Sequence, residues 1–238
     1  MSLFGIATSA TGGTPPPQLH APDGFLEPPV ALAMWVATAI IVAVAVRQTN
    51  RNLEERAIPL MGVMAAFIFA AQMFNFQVAG GTSGHLLGGV LAAVLLGPWA
   101  GTLVMACVVA VQALIFQDGG LLVMGANIFN MGVIGTLGGY AVYHALCAIL
   151  GGEARARVPA AAIAGWVAVV AGAASMSIQL VISGVWPFEV AFPAMLGVHA
   201  VIGIGEGLIT AAAIAFIATT RRDLLELRPG APRAATAA

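Results

Sequence analysis

The sequence contains no lysine, and charged residues of any kind are scarce among its 238 positions. They make up 8% of the chain, against 60% for hydrophobic residues, whereas a soluble domain carries about 25% charged residues. So little charge cannot cover a surface that faces water, which excludes an ordinary soluble protein. Because lipid is the solvent that makes such a composition stable, we predict an integral membrane protein.

Further absences exclude other classes of protein. The only cysteines, Cys107 and Cys147, lie in apolar runs, so no disulfide framework is expected. No phosphate-binding loop, zinc-protease motif or nucleophile elbow occurs, and we predict that the chain is not an enzyme. Outside a few arginine clusters there is no basic patch, which excludes a nucleic-acid partner. Residues 1–18 lack the basic and apolar regions of a secretory signal, and we expect them to be disordered.

What is present is a series of long apolar runs, and about 20 such residues make one transmembrane helix. We predict an all-α integral membrane protein, a bundle of about seven transmembrane helices. The third run is short for a full crossing, and we expect the glycine-rich stretch before it to form a loop buried within the protein. The runs are Val30–Val46, Ile58–Phe76, His85–Leu96, Trp99–Phe116, Asn127–Leu150, Pro159–Ile182 and Phe192–Thr219.

All the basic residues are arginines, and they occur in the loop after the first run, the loop between the fifth and sixth runs, and the C-terminal tail. Seven crossings with the N-terminus outside place all three regions in the cytoplasm, as the positive-inside rule requires. Six or eight crossings would move the tail to the other side. We therefore predict a multi-pass protein of the plasma or inner membrane with its N-terminus outside and its C-terminus cytoplasmic. The arginines are Arg47, Arg51, Arg56, Arg155, Arg157, Arg221, Arg222, Arg228 and Arg233.

His20 and His85 lie on separate segments that this topology places on the outer side of the membrane. Neutral imidazole offers a lone pair at physiological pH, which makes histidine the commonest metal ligand. His85 follows a glycine-rich stretch, residues 79–84, where the backbone can approach a ligand closely. Both histidines are candidate metal ligands, and the alternative is that they are incidental surface or capping residues.

Several polar side chains fall inside the apolar runs, where such groups are costly and usually face the bundle interior. Glu206 lies deep in the last run, and His199 lies about two helical turns earlier on the same face. The two residues could form a polar pathway or support a binding site, or they could hydrogen-bond neighbouring helices. Hydrogen bonding between helices is favoured for the amides Gln72, Asn75, Gln112, Asn127, Asn130 and Gln179.

Two further features concern the edges of the bundle. His144 lies toward the cytoplasmic end of the fifth run and is expected at the membrane interface. Gly62, Ala66 and Ala70 recur every four residues, a spacing that favours close approach of another helix. That helix could belong to this chain or to a partner subunit.

Four motifs resemble those of the CbiM/NikM family, the cobalt- and nickel-specific S components of energy-coupling factor (ECF) transporters, which are ABC transporters. Residues 19–26, Leu-His-Ala-Pro-Asp-Gly-Phe-Leu, resemble the family's Met-His-Ile-Pro-Asp-Gly-Phe-Leu start. Residues 80–85 resemble its second metal-ligand loop. Gln112 and the segments 118–120 and 125–127 are similar to its next motifs, and residues 206–208 resemble its late Ser-Glu-Gly-Leu motif. The motifs follow the family order over about residues 19–220.

The resemblance implies a metal site. In the family, the metal takes the α-amine of residue one, the backbone nitrogen and imidazole of the histidine at residue two, and the imidazole of the loop histidine. Here the imidazoles would belong to His20 and His85. Planar nitrogen ligands suit Ni(II) or Cu(II), with Co(II) as the neighbouring option, and the sequence does not choose between cobalt and nickel. The residues that could surround the site or line a pathway are Ser83, Asn127, Gln112, Glu206 and His199.

The resemblance also implies partners. These are an ECF transmembrane coupling protein (the T component), ABC ATPase subunits and a small CbiN/NikN-like membrane subunit. The ion is transported substrate, no cofactor is expected, and the cobalt-specific members link the family to cobalamin biosynthesis. We therefore expect the substrate-binding membrane subunit of an ATP-driven ECF-type importer that captures Co²⁺ or Ni²⁺ at the extracellular side.

The sequence departs from the family at one point, because His20 is not residue two. We interpret Leu19 as the true first residue, since bacterial leucine codons can initiate translation with methionine, and its amine would then complete the metal site. Alternatively residues 1–18 are a real extension that is cleaved before Leu19 or alters the site. With the favoured start, residues 19–220 form the metal-binding bundle and residues 221–238 a cytoplasmic polar tail.

Two other functions are alternatives to metal import. A proton- or ion-coupled secondary transporter or channel could use Glu206 and His199, although no internal repeat supports it. A structural membrane protein without a substrate is the third possibility.

Overall fold

The computed structural model describes residues 20–74, 76–77 and 83–229. Seven helices account for most of this chain, and α5 contains a π-helical segment, Ile128–Gly138, between two α-helical ones, Met124–Asn127 and Gly139–Ile149. The helices are α1 Pro28–Asn52, α2 Ile58–Met73, α3 Gly89–Leu96, α4 Pro98–Ile115, α5 Met124–Ile149, α6 Glu153–Ile182 and α7 Phe188–Thr220.

Short elements complete the description. Glu55–Ala57 and Arg222–Glu226 form single 3₁₀ turns. The two-residue strands β1, Phe76–Gln77, and β2, Ser83–Gly84, pair antiparallel just before α3. Residues 78–82, which include most of the glycine-rich stretch, lie outside the described residues.

Within the described residues, six helices are long and apolar enough to cross a membrane, so the prediction of about seven spanning helices is wrong for the third run. The helix α3 has only 8 residues and measures about 12 Å, against about 30 Å for the hydrocarbon core of a bilayer. It starts late because His85–Gly88 is not helical and because Gly88, its N-cap, has a left-handed φ of 81°. The expected shortness of the third run is confirmed.

The third run nevertheless leads from one end of the bundle to the other. His85 contacts His20, which precedes α1, whereas Leu96 and Gly97 lie beside Thr49 near the C-terminal end of α1. Every residue of α3 is buried. Non-helical backbone at membrane depth is stable only when protein surrounds it, and the surrounding helices meet that condition here.

The buried side chains of α3, including Val90, Leu91, Val94 and Leu95, belong to a hydrophobic cluster with residues from every other helix except α1. Close packing elsewhere depends on small residues. A Cβ atom on Gly207 of α7 would lie 2.7 Å from the carbonyl oxygen of Ala162 in α6, so the two helices meet backbone to backbone. The outer faces instead expose large apolar side chains, as a lipid-facing surface requires; examples are Leu32, Val36, Ile40, Val63, Phe67, Ile204, Leu208 and Phe216.

The stripe of small residues on α2 faces outward. Gly62, Ala66 and Ala70 are all exposed, and a Cβ atom on Gly62 would meet no atom within 4 Å. The interpretation that this stripe packs within the chain is therefore wrong.

The arginine-bearing ends of the helices meet at the end of the bundle opposite His20. Arg228, which is buried, donates to Glu153 and Tyr140, and Arg157 also bonds to Glu153. Leu225 enters the hydrophobic core. The described part of the tail is thus folded onto the bundle, and the arginines among the described residues gather at one end, as the predicted topology requires. The assignment of that end to the cytoplasm stays a prediction.

Candidate metal centre

The structure brings His20 and His85 into contact although 65 positions separate them. Their ring centroids lie 5.2 Å apart with the rings at 89° to each other. His20 lies on the segment that leads into α1, and His85 on the non-helical segment that leads into α3. The side chain of His20 is almost completely buried. Two imidazoles therefore share one location at the end of the bundle away from the arginines.

Asp118, in the loop after α4, makes the polar contacts of His20. The backbone nitrogen of His20 donates to the Asp118 carboxylate at 3.3 Å, and Nδ1 lies 3.2 Å from its carbonyl oxygen. Because a carbonyl only accepts, Nδ1 carries the proton and Nε2 the lone pair. The Nε2 atom is buried without a hydrogen-bond partner among the described residues. Burial lowers the pKa of the imidazole below its usual value, against the opposing charge of Asp118, so the ring is neutral at physiological pH.

Two glycines after Asp118 form a surface onto which the His20 segment docks. A Cβ atom on Gly119 would lie 2.9 Å from the His20 Cβ, and one on Gly120 would collide with the backbone and carboxylate of Asp23. Gly119 also has a left-handed φ of 101°, which disfavours any other residue there. The motif Asp-Gly-Gly is thus needed in full, because only this backbone can lie so close to residues 20–23.

Asp23 fastens the same segment to the start of α5. Its carboxylate accepts from the backbone N–H groups of Leu121, Leu122 and Val123 at 3.1, 2.8 and 3.3 Å. These groups precede α5, where free donors and the helix dipole favour a negative charge. Asn127 adds a bond of 3.0 Å to the carbonyl of Ala21. The side chains of Asp23 and Asn127 therefore hold His20 in register with Asp118.

The segment that carries His85 is held by side chains from the helices around it. The two oxygens of the Glu206 carboxylate accept from Leu87 N at 2.6 Å and Gly88 N at 2.9 Å. Gln72 donates to the carbonyl of Leu87 at 2.8 Å, and Gln112 donates to Gln72 at 2.8 Å. The helices α2, α4 and α7 each contribute one polar side chain to this arrangement.

The remaining predicted residues divide into three groups. His199 bonds to the carbonyl of Met195 and interacts electrostatically with His85, which places it beside the site. Asn130 and Gln179 pair their side-chain amides between α5 and α6, as the interhelical interpretation predicted, and His144 is exposed. Outside the described residues lie Leu19, Asn75 and the side chain of Ser83.

Sequence reasoning placed Asp23 and Gln72 in the right segments but gave neither a role at the site. The motif at residues 19–26 contains Asp23, an acidic residue that can cap a helix. The motif does not show which helix it caps. Across the described residues, no group of three or more His, Cys, Asp or Glu side chains could hold a metal ion.

Comparison with known proteins supports a metal transporter. The family model described as CbiM, "Cobalt uptake substrate-specific transmembrane region", matches residues 20–224. A putative metal transport protein of Haloquadratum walsbyi is 42% identical over 87% of this chain and 93% of its own length. The cobalt transport protein CbiM of Sorangium cellulosum is 32% identical over 90% of this chain and its full length.

Two further relatives bear on fold and subunit composition. A putative fused nickel transport protein NikMN of Archaeoglobus fulgidus is 38% identical over 87% of this chain and 68% of its own length. The crystal structure of a truncated transition metal transporter superposes with a TM-score of 0.77 and 32% identity, covering 84% of this chain and 98% of that one.

Proposed function

The chain belongs to the CbiM family of cobalt and nickel transport components, and from that premise we propose that it is the substrate-binding subunit of an ATP-driven ECF-type importer. In this proposal it captures the ion at the outer side of the membrane with His20 and His85. The observation that supports it best is the contact between the two imidazoles, whose ring centroids lie 5.2 Å apart.

The state of the His20 imidazole supports its role as a ligand. Burial keeps the ring neutral, and its Nε2 atom has no hydrogen-bond partner among the described residues. A neutral imidazole carries its proton on one ring nitrogen and offers the lone pair of the other to a metal ion.

The backbone nitrogen of His20 is the proposed third ligand. It faces Asp118 together with Nδ1 of the same residue, and these two atoms of a histidine can close a chelate ring on one metal. An α-amine at residue 19 would extend the chelate and give a planar set of four nitrogens with His85, which suits Ni(II) and, as the neighbouring case, Co(II). In this mode Nδ1 exchanges its bond to the Asp118 carbonyl for the metal ion, and the ring proton moves from Nδ1 to Nε2. The backbone nitrogen binds after it loses its proton to solvent.

ATP hydrolysis is assigned to partners, since the sequence contains no nucleotide-binding motif. The proposed complex contains ABC ATPase subunits, an ECF T component and a CbiN/NikN-like subunit. Relatives named as fused NikMN proteins support the last of these, because the names indicate an M and an N component in a single chain.

A proton-coupled mechanism through Glu206 and His199 is disfavoured by their contacts. Both oxygens of the Glu206 carboxylate bond to backbone N–H groups, and His199 bonds to the carbonyl of Met195. Two side chains engaged with backbone groups in this way do not form a relay with each other.

Removal of either imidazole tests the proposal. We expect His20→Ala and His85→Ala to lose high-affinity Ni(II) and Co(II) binding and uptake, whereas His144→Ala, which removes an exposed histidine, should behave like the parent. Equilibrium binding to the purified protein and uptake by cells with the partner subunits are the measurements. Unchanged binding by both histidine variants would refute the assignment.

The N-terminus needs a separate comparison. A chain that begins with methionine at position 19 should bind Ni(II) more tightly than the full chain, because only the shorter one has an α-amine beside His20. Ni(II) binding by the shorter chain that is no tighter than that of the full chain would show that the metal site does not use that amine. N-terminal sequencing of the natural protein would show which form exists.

A further inference from the structure

We propose that Glu206 is a positioning residue for the metal site: its carboxylate fixes the backbone at Leu87 and Gly88 and thereby holds the imidazole of His85 against His20. This inference rests on the proposed metal site at the two histidines. It assigns a role to the buried acid of α7 that requires no contact with the ion and no proton transfer.

The Glu206 carboxylate and the N–H groups of Leu87 and Gly88 depend on each other for their hydrogen bonds. Glu206 is only 2% exposed, and a carboxylate at such a position is stable only when it is hydrogen-bonded. The N–H groups of Leu87 and Gly88 belong to a non-helical segment inside the bundle, where no water replaces a lost acceptor. Movement of either partner would leave buried polar groups unpaired, so the contact fixes the segment to α7.

The helix α7 contacts this segment at more than one level. His199, Ile202 and Glu206 are spaced by three and four residues and share one helix face. A Cβ atom on Gly84 would lie 2.7 Å from Ile202, and Glu206 binds the backbone of Leu87 and Gly88. One face of α7 therefore follows the chain on both sides of the loop histidine.

The contact between Glu206 and Gly88 lies at the start of α3. Gly88 is the N-cap of α3 and adopts the left-handed conformation, so it marks the point where the His85 segment turns into the helix. The N-terminal end of that segment, at Gly84, pairs with Phe76 of β1. With Glu206 bound at Gly88, the segment is held at both ends, and the imidazole between them has one position.

Substitution of Glu206 tests this role. We expect Glu206→Gln, which keeps one oxygen acceptor, to weaken Ni(II) binding by about tenfold, and Glu206→Ala to weaken it by about 100-fold, the range found for residues that orient metal ligands. The electron paramagnetic resonance spectrum of bound Cu(II) supplies a second readout. It should change in both variants, because His85 no longer has a single position relative to His20.

A matched control separates positioning from general stability. Thr102 bonds to the hydroxyl of Thr136 and the carbonyl of Pro98, away from both histidines. Thr102→Val removes these buried hydrogen bonds and should leave the Ni(II) affinity and the Cu(II) spectrum unchanged.

The outcomes distinguish this inference from the proposed function. Should the parent bind no Ni(II), or should His85→Ala bind it as well as the parent, both proposals fail. When the histidine variants lose binding but folded Glu206→Ala binds with parental affinity and spectrum, only the positioning role is overturned. Should the alanine variant not fold, parental affinity and spectrum in Glu206→Gln would overturn it equally.

Discussion

His20 and His85 lie in contact, yet different parts of the molecule hold the two segments that carry them. The His20 segment, residues 20–27, docks onto the loop between α4 and α5 through backbone groups, two glycines and one exposed carboxylate. The His85 segment, residues 84–88, is held by the buried side chains of Gln72 and Glu206.

The difference reflects the surroundings of each segment. At the end of the bundle, Asp23 and the N–H groups of Leu121 and Leu122 that donate to it are exposed, so water can replace a lost bond there. Inside the bundle, Glu206 and Gln72 have no such substitute. We infer that shape complementarity is decisive for the His20 segment, and hydrogen bonding for the His85 segment.

The largest effect should come from filling the space under the His20 segment. Gly120→Ala places a methyl group where the backbone and carboxylate of Asp23 now lie, so the segment cannot dock. We expect metal binding to weaken by about 100-fold or more, measured by Ni(II) titration. Asp23→Asn, which keeps the shape but weakens the cap, should cost much less, about tenfold. An equal loss in both variants would show that charge and shape contribute alike.

A smaller effect is expected on the other side of the site. Gln72→Met keeps the length of the side chain but leaves the Leu87 carbonyl without its donor, and a buried unpaired group costs about 1–3 kcal/mol. We expect about tenfold weaker Ni(II) binding. Gln112→Met acts only through Gln72 and should weaken binding about threefold. The reverse order in titrations would contradict the proposed chain of contacts.

The smallest effect on binding should come from a polar pair that serves neither segment. Gln179→Leu breaks the amide pair with Asn130, and such bonds between transmembrane helices contribute about 0.6 kcal/mol on average. Thermal unfolding in detergent should shift slightly downward while Ni(II) affinity stays parental. A weakened affinity would mean that the two histidine segments are coupled through α5 and α6.

Much of the fold could be predicted because apolar length and arginine placement are local signals. The helices α1, α2, α4, α5, α6 and α7 coincide with apolar runs to within a few residues at most ends. The start of α6 differs from the start of its apolar run. α6 begins at Glu153, before the apolar run at Pro159, since Glu153 accepts from Tyr143 and Arg157 and these partners stabilise the polar first turns.

The site was predictable only in part. The resemblance identified His20 and His85, but no local signal shows that Glu206 would bind Leu87 and Gly88, because these bonds span 119 and 118 positions. The same holds for Asp23, whose acceptor role at α5 spans 99 positions to Leu122. Hydropathy places polar residues inside a bundle without specifying which backbone groups they meet.

The brevity of α3 has a consequence for how the protein is made. An 8-residue helix is too short to be inserted as a span of its own, so it reaches its place only when later helices surround it. The acceptors for the N–H groups of Leu87 and Gly88 arrive with α7, which follows all the other membrane-spanning helices of the described chain. A nascent chain therefore carries both histidines long before it can arrange them, and the His85 segment takes its final form only when α7 is in the membrane.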